Sequence, residues 1–152
     1  MTCYKIISND TSIYNPDTLV PGAVFTAQTP LRPDNITYYI RATAPMIHFC
    51  DNAFDTMLWH SYAFADSSLI YEIKPLGQVI KQQCDDDCRL YQCGSHKIEI
   101  VHQIDKHEMF ERAVFEFLQN PKAKIAMYPN LQDKMPKIIS AWIHHEQSKY
   151  VY

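Results

Sequence analysis

Apolar positions in the first half of the chain gather in short runs separated by polar connections. "CYKIIS" (3–8), "GAVFT" (22–26), "TYYIRA" (37–42) and "MIHFC" (46–50) are short, rich in aromatic and β-branched residues and bounded by Pro, Asn and Asp, so each predicts a strand. A long polar loop separates the first two. "SLIYEIKP" (68–75) predicts another strand, Gly77 permits a bend, and "QVIK" continues as extended chain. "HKIEIVHQI" (96–104) places Ile98 and Ile100, and by strict alternation His102, on one face.

Three stretches carry the helical period instead. Asp51 stands as a candidate N-cap for "NAFDTMLWHSY", where Phe54, Met57, Leu58 and Tyr62 recur at helical spacing. From Asp105 an acidic-x-x-Glu start ending in Glu108 precedes a broad apolar face of Met109, Phe110, Ala113, Val114, Phe117 and Leu118. "NPKAKIAMYPN" interrupts that pattern. A last helix is predicted to open at Asp133, with Pro136 in its first turn and Met135, Ile138, Ile139, Trp142 and Ile143 facing inward. The expected fold class is α+β in one domain: a strand-rich core over 1–104 with one embedded helix, closed by two C-terminal helices within 105–152.

Composition narrows the function. At 152 residues, 47% of them hydrophobic, the chain suffices for one continuous core but not for two ordinary domains. A net charge of -3 argues against a bulk electrostatic grip on nucleic acid or anionic lipid. No apolar run approaches the roughly 20 residues that span a bilayer, and "MTCYKIISND" lacks the regions of a secretory signal, so a cytoplasmic protein is expected, or one delivered into a host cytosol. Five cysteines, an odd count, suggest reduced thiols. With three glycines, none in a phosphate-cradling motif, classical nucleotide-phosphate loops are excluded.

Three segments hold candidate chemistry. In "QQCDDDCRLYQCGSH" (82–96), Cys84, Cys88, Cys93 and His96 form a C-x3-C-x4-C-x2-H series with four soft zinc ligands, but the spacing is unusual and three aspartates interrupt it. The plainer reading is a strand-connecting loop with a hydrated acidic turn. Cys50, two residues after His48 and just before a helix, is a candidate nucleophile, because a helix N-terminus lowers a thiol pKa; a core-facing pair is the alternative. His144 and His145 lack a partner one turn away that would complete a metal pair.

The order of elements adds a resemblance. "MIHFCDNAFDTMLWHSYAFADSSLIYEIKPLGQVI", then a loop and "HKIEIVHQI", resembles the core of the ADP-ribosyltransferase-like fold over residues 46 to 104, with "CYKIIS" where that fold begins. It is similar to the small rifampin-type ADP-ribosyltransferases and to a group of bacterial and phage domains with a "GFHFC"-like segment. The resemblance implies NAD as substrate, with transfer of ADP-ribose to a protein or small-molecule acceptor, in a bacterial effector or a phage modifier. It places Lys5 near the family's first-strand histidine, His48 where an aromatic ring holds the nicotinamide, and Asp85, Asp86 or Asp87 in the loop that supplies the acid. Glu72 is the other acidic candidate, and Tyr4, Tyr38 or Tyr39 replaces the aromatic if the alignment shifts by a residue. Lysine for histidine and histidine for tyrosine both depart from the family pattern. The second expectation is therefore the same fold with its catalytic set eroded, serving as a protein-interaction module.

Overall fold

The structure, a computed structural model, describes residues 2–7, 19–27, 46–63, 68–83 and 89–146. The expected strand at 37–42, with Tyr38 and Tyr39, lies outside them. The chain has an α+β fold. Its elements in order are β1 (Cys3–Ile7), β2 (Val24–Thr26), β3 (Ile47–Phe49), α1 (Ala53–Ala63), β4 (Leu69–Pro75), β5 (Ile80–Gln83), β6 (Tyr91–Ser95), β7 (Lys97–Ile104), α2 (Lys106–Gln119), α3 (Pro121–Met127), one 3-10 turn (Pro129–Leu131) and α4 (Met135–Ile143).

The strands form two antiparallel sheets, ordered β1-β4-β7-β2 and β3-β6-β5. Side chains of both meet in one core: Cys3, Ile7, Tyr71, Ile73, Ile98 and Ile100 from the larger sheet, Ile47, Phe49 and Cys93 from the smaller. The opposite face of the larger sheet, through Tyr4, Ile70 and Ile104, packs on α1, α2 and α4 in a second core. Each large apolar side chain buried there contributes about 1.5–3 kcal/mol.

The helix α1 is buried almost all round, with Phe54, Met57 and Leu58 at 0% exposure; Trp59 is also buried, whereas Tyr62, expected inward, is exposed. Its cap is Asn52 rather than the expected Asp51. Asn52 Oδ1 accepts from the Asp55 backbone N–H and Asn52 Nδ2 donates to Asp55 Oδ2, both at 2.8 Å, a reciprocal box whose return bond joins the two side chains rather than the cap's backbone N–H. The Glu116 carboxylate, from α2, accepts the next N–H groups, Ala53 at 3.0 Å and Phe54 at 2.8 Å. In α2 the expected Asp105 cap is found, accepting from His107 N–H at 2.7 Å.

Other expectations need correction. In the segment read as a loop, Tyr91–Ser95 forms β6, the central strand of the smaller sheet, because its backbone pairs on both sides. The expected break at 120–130 contains α3, where Asn120 Oδ1 accepts from Ala123 N–H and Pro121 fills a first-turn position that needs no donor. Among its described residues the C-terminal part thus holds three α-helices, not two. The last of them begins at Met135, without a side-chain cap from Asp133. Leu118 and Ile143, expected inward, are 61% and 55% exposed. In β7 the register shifts opposite Glu72 and Ile73, so Val101 is an extra residue and His102 turns to the face opposite Ile100.

Candidate functional site

Where the two sheets part, β1 and the end of β3 share a single rung. Tyr4 N–H donates to the Cys50 carbonyl at 2.8 Å and Cys50 N–H to the Tyr4 carbonyl at 2.9 Å. In a continued antiparallel ladder the next bonded pair would be Ile6 with His48. Instead the Lys5 ammonium donates to the His48 carbonyl at 2.9 Å. A cation thus completes the backbone bonding at the fork: Lys5 reaches the His48 carbonyl and not its ring, which leaves the strand on the face opposite Phe49.

Both groups are altered by enclosure. Burial pulls the Lys5 ammonium down to about 8, opposed weakly by the nearby Cys50 thiol. It therefore remains mainly charged at neutral pH. Burial first, and then the Lys5 charge, hold His48 well below the ordinary histidine range, so its ring is neutral. His48 Nε2 is buried with no hydrogen-bond partner. An unmade bond of that kind costs about 1–3 kcal/mol. On β6 the residue opposite His48 is Gly94, which presents no side chain against the imidazole.

The remaining described candidates lie elsewhere. Tyr4 and Lys5 are consecutive on a strand, so their side chains leave opposite faces. Tyr4 is 5% exposed on the helix side, where its hydroxyl accepts from Arg112 Nη1 at 3.0 Å. Burial raises its phenol, with Arg112 opposing. Glu72 pairs directly with Tyr4 and so shares that face, its carboxylate 3.5 Å from His102 Nε2. Glu72 and Tyr4 therefore do not converge with Lys5. Asp85, Asp86 and Asp87 lie outside the described residues, between Gln83 and Tyr91, which pair across the hairpin.

The cysteine candidates separate as well. Cys84 and Cys88 lie outside the described residues; Cys93 faces the core between the sheets and His96 is exposed. The Cys93 thiol is pushed up to about 12 by burial and then by Asp51, far from a thiolate ligand. Among the described residues no group of three or more His, Cys, Asp or Glu could hold a metal ion. Cys50 is buried, and burial, with Asp55 and Cys93 adding, drives its thiol well above the ordinary range. The first amides of the helix that follows it, the feature that lowers a thiol pKa, are occupied by Glu116. Of the two C-terminal histidines, His145 Nδ1 lies 2.6 Å from His107 Nδ1, and His144 Nδ1 approaches the Ser140 carbonyl at 2.8 Å.

Sequence reasoning missed an ionic network beside α1. Lys81 Nζ lies 2.9 Å from Asp51 and 3.5 Å from the 1%-exposed Asp55, which also accepts from the Tyr128 hydroxyl. Burial would raise the Asp51 carboxyl, but the Lys81 hydrogen bond and charge, helped by Asn52, carry it below its usual value. The "DNAFD" spacing signalled the Asn52–Asp55 part; Lys81 and Tyr128 come from remote elements and left no local sign. These groups satisfy one another, so the network fastens the smaller sheet to α1. The orphaned nitrogen is at the fork.

No family model, curated protein or solved structure matches this chain.

Proposed function

We propose that this chain is an NAD-dependent ADP-ribosyltransferase-like protein, transferring ADP-ribose to a protein or small-molecule acceptor, with the nicotinamide end of NAD entering at the fork between β1 and β3. The observation that carries the reading is the contact of the Lys5 ammonium with the backbone of His48, the residues the resemblance assigns to ribose and nicotinamide, together with the buried, unpartnered His48 Nε2. Cleaving the nicotinamide–ribose bond develops positive charge on the ribose, so a carboxylate must face it. Lys5 supplies a donor for a ribose hydroxyl. The neutral His48 ring offers a stacking face, and its Nε2 suits the carboxamide, which has both a donor and an acceptor. The acid in this scheme comes from Asp85–Asp87, since Glu72 is on the other face of its sheet.

One observation favours the second reading, an eroded fold used as a protein-interaction module. The Lys5 ammonium is already committed to the His48 carbonyl, and two of the described candidates, Tyr4 and Glu72, lie across the sheet. A thermal melt of the reduced protein with and without millimolar NAD separates the two. At a hundredfold excess over Kd the ligand stabilises by about 2.7 kcal/mol, an upward shift of roughly 5–10 °C for a chain of this size. No shift refutes the NAD reading and leaves the interaction module; a shift without nicotinamide release supports an NAD-binding but inactive fold.

A further inference from the structure

Two histidines remote in the chain meet where α2 begins and α4 has just ended. His107, in the first turn of α2, and His145, just past α4, bring their Nδ1 atoms to 2.6 Å. His145 thus finds in another helix the partner that its own helix does not provide.

The backbone that presents His145 is unusual. Its N–H donates to the Trp142 carbonyl at 2.9 Å and the Glu146 N–H to the Ala141 carbonyl at 2.8 Å, the paired bonds of a Schellman helix ending. The residue at that bend takes a left-handed conformation, and His145 has φ 58°. Glycine adopts it without the Cβ crowding that histidine meets there. Strain of this kind points to a function for the side chain that bears it. The imidazole is also held at two further points: it stacks on Phe110, with centroids 6.3 Å apart and 21° between planes, and its Nε2 lies 3.8 Å from Glu111 Oε1. A carboxylate beside Nε2 favours the proton on that nitrogen, which leaves the lone pair of His145 on Nδ1, aimed at His107. Ligand histidines in metal sites are set in this way, with a carboxylate on the nitrogen that does not bind the metal.

We infer that His107 and His145 form a two-histidine site for a divalent transition metal of the zinc, nickel and copper class, with Glu111 as its positioning residue. Imidazole nitrogen suits these ions. The site is a pair completed by water, not a cage of three or more protein ligands. Two nitrogens at roughly 2.0–2.1 Å from one tetrahedral ion stand about 3.4 Å apart, so the rings part by about 0.8 Å on binding. The exposed His107 ring can make that movement by rotating. The bound ion ties the start of α2 to the end of α4, and the site shares no residue with the fork.

Zinc titration of the full reduced chain, read by competition with a chromogenic chelator, tests the site. It is run on wild type and on Cys84→Ala/Cys88→Ala, which lacks two thiols of the other candidate zinc series. Both should bind zinc, and His107→Ala or His145→Gly should weaken that binding at least about tenfold. His107 is exposed and glycine suits the bend at His145, so both variants should keep the wild-type far-UV spectrum. For Glu111, a long-range proton–nitrogen correlation spectrum of the zinc-free chain should show His145 protonated at Nε2, with Glu111→Gln moving part of that population to Nδ1. Zinc binding indifferent to either histidine variant overturns the proposal, as does binding lost with the two thiols. Absence of binding at about 200 µM zinc overturns it as well and makes the rings a hydrogen-bonded pair only.

Discussion

Replacing Lys5 with methionine isolates the cost of holding a cation at the fork. The ammonium falls from 10.5 to about 8 on folding, because enclosure disfavours its charged form. That difference corresponds to at most about 3 kcal/mol; because the side chain keeps some exposure to water, about 2 kcal/mol is expected. Between pH 8 and 10.5 the unfolded chain holds this proton and the folded chain has lost it, so the wild-type stability rises with pH through that window. Below the window the charge penalty is fully present. Methionine keeps the length and apolar stem without the charge, and the lost bond to the His48 carbonyl costs the variant a similar amount at every pH. The stability of Lys5→Met relative to wild type should therefore be greatest at neutral pH and decline by about 2 kcal/mol by pH 10.5. Urea melts at half-unit intervals measure this difference directly, and other titrating groups cancel in the subtraction. A gap that stays flat from pH 7.5 to 10.5 would show that Lys5 reaches bulk water and that the fork is not an enclosed site.

Three further outcomes follow from the same contacts. Glu116→Ala strips two N–H acceptors from α1 and should cost about 2 kcal/mol in chemical melts, with Glu116→Gln losing roughly half as much; an alanine cost below about 0.5 kcal/mol would mean water replaces the carboxylate freely. His48→Phe removes the orphaned nitrogen and should raise stability by about 1 kcal/mol; its ring keeps the stacking face but not the bond to the carboxamide, so the NAD-induced melting shift should shrink without vanishing, and an unchanged shift would remove Nε2 from the proposed site. Cys50→Ala should cost about 1 kcal/mol through lost packing and leave any NAD-dependent turnover in place, whereas complete loss of activity in a folded variant would restore the nucleophile reading.

Most of the strands and α2 could be read from periodicity, because their burial is largely one-sided, and α1, buried almost all round, was marked by its apolar residues at helical spacing. The exceptions were decided elsewhere in the chain. The strand β6, "YQCGS", has little apolar alternation and is a strand because β3 and β5 bond it on both sides. The helix α3 was hidden by Asn120 and Pro121, which read as a break and act as cap and first residue. His102 was misplaced by the extra residue at Val101, and a bulge has no signature in an alternating run. At the site, the bond from Lys5 to the His48 carbonyl had no sign in the sequence, because it joins side chain to backbone across 43 positions. The separation of Tyr4 and Glu72 from Lys5 was available, since neighbours on a strand face opposite ways; a list of candidates by position does not express that parity.

The carboxylate on α1 carries a consequence for how the chain comes into being. Glu116 reaches backbone groups 62 and 63 positions earlier, so the opening turn of α1 is finished by a residue made long after it. During synthesis, α1 emerges with its Asn52 box in place but with the Ala53 and Phe54 amides unanswered until α2 has also left the ribosome. Its apolar surface waits equally long for Trp142, whose indole donates to the Ser61 hydroxyl at 3.0 Å. The central helix is therefore completed late, and the nascent chain must keep its most buried segment in reserve until its last third has been made.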